Sequence, residues 1–292
     1  MKILPYILPL CLLLLGNAAV AQKKEDVAPK EEKAAPTKSK KFSNTGRQSA
    51  YAYLNEAKAL REKSPAEAIR LVEQSLNYAR KDGDVRTEAD AYILLGNIYE
   101  DIDQKELALQ RYQQALNALN RSKEGGETAS IYQRMGRLQV ALKSDKGAEI
   151  SFRRCIETTY DNALKQRCEE GLADVELLRG NAQGSISKLD YVESNFKQDS
   201  VSTARLEARR SSVYAQQNDF PKASESYLNS IKTLPKDADL SKEDLDILAQ
   251  SQTQLLAFEA SNAADKVEIA KKSPVGVLPV EASNDQVIAE NL

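Results

Sequence analysis

The sequence predicts an all-α protein assembled from consecutive pairs of amphipathic helices. Three observations carry that prediction. First, positions in the stretch 92–116, YILLGNIYEDIDQKELALQRYQQAL, return at one offset: Tyr92, Gly96, Ala108, Tyr112 and Ala115 recur as Tyr132, Gly136, Ala148, Phe152 and Cys155, each 40 residues on. Second, turn-forming clusters separate the helical stretches, as DIDQ at 101–104, KSDK at 143–146, RGNAQG at 179–184 and QND at 217–219. Third, no strand-like alternation of any length competes with the helical period.

The chain opens with MKIL and an apolar run that ends in AVA at Ala21, which reads as a signal peptide over 1–21 cleaved before Gln22. A membrane anchor fits less well, because the apolar run is short and ends in a cleavage-like AVA. A lipoprotein reading through Cys11 is weak, since Leu8-Pro9-Leu10 precedes it and the apolar run continues beyond it. Residues 22–48 mix Lys, Glu, Ala and Pro with almost no large apolar side chain, so they are expected to form a disordered charged linker.

The repeat domain is expected over 49–272, in about five to six units. A loose first copy lies at 53–76, ahead of the two central ones. A third at 172–192 places Ala173, Ser185, Leu189 and Val192 in the repeated roles. A fourth at 211–235 offers Ser211, Tyr214, Ala223, Tyr227 and Ser230 before a closing Pro235. A degenerate last pair is expected from Leu245 to Lys272. Beyond it, 273–292 carries two prolines and a glycine, then Asn284-Asp285 as a cap for the start of a further helix.

A glycine inside a helix costs about 1 kcal/mol against alanine. Close packing is the expected compensation at Gly96 and Gly136, where a second helix crosses the first. Ala108, Ala148, Ser185 and Ala223 keep the partner helix equally slim, and the repeated tyrosines, twelve in the chain, are expected in the core rather than in a ligand cage.

The spacing of Tyr92, Gly96, Ala108, Tyr112 and Ala115 resembles the tetratricopeptide repeat (TPR) family. The resemblance covers about 50–272 and is strongest at 88–121, 128–161 and 203–235. Its period of 37–40 residues exceeds the usual ~34 of the family. The resemblance implies a right-handed superhelical solenoid with a groove lined by the first helix of each pair, and a protein or peptide as the occupant.

By that analogy the groove residues are Asn97, Glu100, Arg134, Arg137, Asp174, Arg205 and Arg209. The four arginines form a basic strip suited to an acidic peptide or a terminal carboxylate. The plainer alternative is ordinary helix charges paired with Glu100, Glu170 and Asp174. The Lys/Asn carboxylate clamp of chaperone-binding TPR proteins is not reproduced: Asn97 fits one position, but Ile93 stands where the lysine belongs.

Two cysteines remain after cleavage, Cys155 and Cys168, placed symmetrically about a turn expected near Asp161–Asn162. Either they form a disulfide, as an exported protein permits, or they are two small buried side chains.

Composition removes several function classes. The chain has no histidine, which excludes histidine-based nucleophilic schemes and histidine metal ligands. A net charge of -2 leaves no electrostatic footprint for nucleic acid. No catalytic, cofactor or metal motif is evident, and no membrane span is expected after signal cleavage. The expected function is therefore an exported, periplasmic or extracellular bacterial scaffold that is non-catalytic and binds a protein partner through its groove. The alternative is the sensory part of a signal-transduction system, because leader, tether and array are similar to the input regions of TPR-containing sensor histidine kinases.

Overall fold

The computed structural model describes residues 50–122, 127–235 and 238–272, with side chains as far as 257. The described residues fold into eleven helices and no strands. Ten of them form five antiparallel pairs: α1 (Ala50–Leu60) with α2 (Pro65–Asp82), α3 (Val85–Asp101) with α4 (Lys105–Ser122), α5 (Thr128–Ala141) with α6 (Asp145–Thr158), α7 (Asn162–Leu178) with α8 (Ala182–Asn195), and α9 (Ser200–Gln216) with α10 (Phe220–Thr233). The last, α11, runs from Lys242 to Lys272. The fold is an all-α, TPR-like solenoid. The signal peptide, the linker and the tail at 273–292 lie outside the described residues.

The pairs and the start of α11, through Ser251, make one unit; from Gln252 the chain belongs to a second, of which a helix is described. Residues 245–272 were expected to make a pair. They form one continuous helix instead, because no Gly or Pro interrupts 242–272.

Four of the five pairs turn by the same local device. In four of the five turns between partner helices, one residue takes a left-handed backbone: Asp103 (φ 59), Lys143 (φ 56), Gly180 (φ 77) and Asn218 (φ 59). In each, the next N–H returns to a carbonyl five residues back, as Gln104 to Tyr99 and Ser144 to Gln139, both at 2.8 Å. This closes the orphan carbonyls of the first helix. The second helix is then capped at once in two cases, where Asn181 accepts from the Gly184 N–H at 3.0 Å and Asp219 from the Lys222 N–H at 3.3 Å. Polar residues thus serve where a glycine would be the default.

The two central glycines are explained by rings. A Cβ on Gly136 would lie 2.6 Å from Cε1 of Phe152, and one on Gly96 would fall on the ring of Tyr112. The aromatic of the second helix therefore packs directly against the glycine, rather than covering only the next turn of its own helix. Phe152 is wedged more tightly still, because Gly171 of the following pair also stands against its ring.

First helices lie side by side along the stack: α1 beside α3, α5 beside α7, α7 beside α9. Their common face carries the polar residues described next.

Candidate partner-binding face

Asn97 and Glu100 stand on α3. Asn97 faces inward, where the Tyr112 hydroxyl lies 2.7 Å from its Oδ1 and 2.8 Å from a Glu100 carboxylate oxygen. Burial, reinforced by the Glu100 charge, pushes the Tyr112 hydroxyl well above the usual phenol range, so it stays a donor. The amide of Asn97 thus serves a core tyrosine. Glu100 also takes Arg134 of α5 at 3.1 Å and Arg137 at 3.7 Å.

The next two first helices bring a buried ion network together. Glu170 of α7 is wholly buried, and Arg205 of α9 grips it in a fork, Nε to Oε2 at 2.6 Å and a terminal nitrogen to Oε1 at 2.9 Å. Gln166 adds a third donor at 3.0 Å. Arg209, 5 % exposed, reaches Asp174 at 2.9 Å and stands 3.8 Å from Glu170. A charge this deep persists only when it is paired and hydrogen-bonded.

The first turn of α11 completes the cluster. Glu243 accepts from Gln133 at 3.0 Å and from Arg167 at 2.9 Å, with Arg137 at 3.7 Å. Asp244 takes the remaining arm of Arg205 at 2.9 Å, and Asp246 stands 3.6 Å from Arg137. Ser241 and Asp244 also cap each other: the Ser241 N–H and hydroxyl reach Oδ2, while the Asp244 N–H reaches the serine oxygen at 3.2 Å. This is a capping box, and it fixes the helix start that presents both acids. Burial raises the carboxyl of Glu243, but the guanidiniums of Arg137, Arg209, Arg167 and Arg205 together hold it below its ordinary value. Burial likewise opposes Asp244, which Ser241 and Arg205 hold low.

The match to known proteins follows from this helical array. The family model for "Soluble NSF attachment protein, SNAP" matches residues 20–171, just over half of the 292-residue chain. The chain belongs to the soluble NSF attachment protein (SNAP) family. In this SNAP-family chain the match takes in α1 to α6 and the first part of α7. No curated protein matches it.

Several solved structures are similar. YrrB, described as a TPR protein with an unusual peptide-binding site, is 22% identical, with 65% of this chain and 89% of that one covered and a TM-score of 0.45. TTC0263, a thermophilic TPR protein of Thermus thermophilus, is 15% identical over 71% of this chain and all of that one, with a TM-score of 0.47. Pseudomonas aeruginosa pilF is 13% identical over 82% and 97%, also at 0.47.

Of the seven residues assigned by analogy, Glu100, Arg134 and Arg137 meet at the α3–α5 step, and Asp174, Arg205 and Arg209 at the α7–α9 step. Sequence reasoning missed Arg167, Gln133, Gln166, Glu243, Asp244 and Asp246 as members of the face, and it had Glu170 only as a counter-charge. One signal was available: Ser241-Lys-Glu-Asp244 has the spacing of a capping box ahead of an apolar run.

Cys155 of α6 and Cys168 of α7 are joined in the structure, with Cα atoms 6.3 Å apart. Among the described residues no helix is long and apolar enough to cross a membrane.

Proposed function

We propose that this chain is an exported, non-catalytic scaffold that holds an acidic segment of a protein partner on the first-helix face of α5, α7 and α9. One observation carries the reading. Arg134, Arg137, Arg167, Arg205 and Arg209 converge on that face, and the first-helix carboxylates beside them are three, Glu100, Glu170 and Asp174. Apart from the α11 acids, the first helices themselves therefore set five guanidiniums against three carboxylates, an excess of positive charge that a carboxylate-bearing segment complements, and arginine forks suit carboxylates geometrically. The helical-repeat fold supports an interaction role. The name of its family, soluble NSF attachment protein, is that of an attachment protein.

Export rests on the leader read at 1–21. Intact mass of the chain recovered from cell envelopes tests it directly, with a mature start at Gln22 as the expected result. Crosslinked pull-down with the full mature chain tests the face. Changing Arg134 and Arg137 to Glu together is expected to abolish capture of a defined partner while far-UV helicity is kept. Unchanged capture refutes the arginine face as the contact.

A further inference from the structure

The arginine face already has an occupant, and its chemistry describes the partner. Three features of that contact belong together. The start of α11 is attached through side-chain carboxylates: Glu243 has donors from α5 and α7, and Asp244 has one from α9. Its apolar contribution is slight, since Leu248 is buried but Leu245 is 43 % exposed. By contrast α10 docks without an ion pair to its partner helix among the described residues, burying Ala223 and Tyr227 together with the small serines Ser226 and Ser230. A contact carried by charges and little apolar area can be exchanged for an equivalent one.

One cation of the site is also short of acceptors. Arg209 is 5 % exposed, yet its Nε and one terminal nitrogen have no hydrogen-bond partner among the described residues. Two buried donors on a cation are costly to leave unmade. An occupant carrying one more carboxylate would satisfy them.

We propose that Ser241–Asp246 is a built-in competitor for this face, and that the partner it competes with presents a helix start bearing carboxylates in its first turn. The inference rests on the arginine face being the partner site. A helix start is the fitting form because its own N-terminal N–H groups favour carboxylates there, so the acids arrive fixed in place. The Ser241–Asp244 box shows how one aspartate can cap its helix with one oxygen and offer the other to Arg205.

The test uses the full mature chain and a fluorescent peptide of residues 238–251, ADLSKEDLDILAQS. In the chain carrying E243Q, D244N and D246N, the peptide is expected to bind about ten-fold more tightly than in the unaltered chain, the factor for a site closed nine-tenths of the time. The same peptide with those three changes is expected not to bind. In the unaltered chain, excess acidic peptide is expected to speed amide exchange at 243–251 and leave α2 and α4 unchanged; this arm needs no variant to fold. Equal affinity for both chains, with no change in exchange, overturns the competitor and leaves the face standing. Failure of the acidic peptide to bind the altered chain overturns both.

Discussion

Replacing Glu170 by alanine is expected to cost about 3–5 kcal/mol, the loss typical of breaking a buried ion pair from one side. The size follows from what the change strands. Arg205 keeps Asp244 but loses both short contacts of its fork, and Arg209 loses its neighbour at 3.8 Å, all at positions 5 % exposed or less. For a folded unit of about 200 residues this is ~6–20 °C in Tm, at 2–4 °C per kcal/mol. Calorimetry of the full chain is the assay, with Glu149→Ala as the control, because Glu149 sits in an exposed cluster with Arg179 and Arg153 where pairs contribute little. Changing Glu170 and Arg205 together to Met is expected to recover part of the loss, since the forked pair is then removed from both sides, while Asp244 still loses its Arg205 arm and Arg209 its neighbour. A Glu170→Ala loss no larger than the control's refutes the buried network.

Three further outcomes are expected. Reducing the Cys155–Cys168 bridge, which closes a short loop of sequence separation 13, is expected to cost about 3 kcal/mol; intact mass before and after reduction, then denaturant titration, checks both the bond and its worth. Gly136→Ala is expected to lose up to about 2 kcal/mol net, as overpacking of about 1–3 kcal/mol against the Phe152 ring is set against the gain of about 1 kcal/mol in helix propensity, and Phe152→Leu in the same chain should relieve it. Acid is expected to release the start of α11. Glu243 and Asp244 lie below their ordinary values, so their contribution is present above the usual carboxylate range and is lost as pH falls through their lowered values, below roughly pH 4. Asp246, raised chiefly by burial, works the other way, and Glu100, Glu170, Asp174 and the arginines complete the charges facing the turn. Amide exchange at 243–251, corrected for intrinsic pH dependence, reads the balance.

The sequence by itself determined the helix pairs, because a repeat writes the same local contact several times. Gly96 with Tyr112 and Gly136 with Phe152 are one contact in two copies, and a fixed offset exposes it without any coordinates. Turn positions were legible for the same reason, and Asp103, Gly180 and Asn218 are residue types that tolerate the left-handed backbone they hold, whereas at Lys143 only the flanking Ser144-Asp145 marked the turn. The symmetric placing of Cys155 and Cys168 marked them as neighbours, although whether two antiparallel helices come within 6.3 Å at that height is a matter of packing.

Only the tertiary structure decided the rest. Gly171 reads as an isolated helix glycine until Phe152 from the pair before is seen against it. Arg205 and Arg209 read as surface charges, and nothing local distinguishes them from Arg153 or Arg154, which are exposed. The burial of Arg205 depends on Glu170, 35 residues away, and on Asp244, 39 residues away on the other side, and that of Arg209 on Asp174, 35 residues away. Helical periodicity fixes which residues share a face of one helix. It says nothing of which face of another helix will meet them, because ion pairs of this kind follow from distance in space and leave no period in the chain.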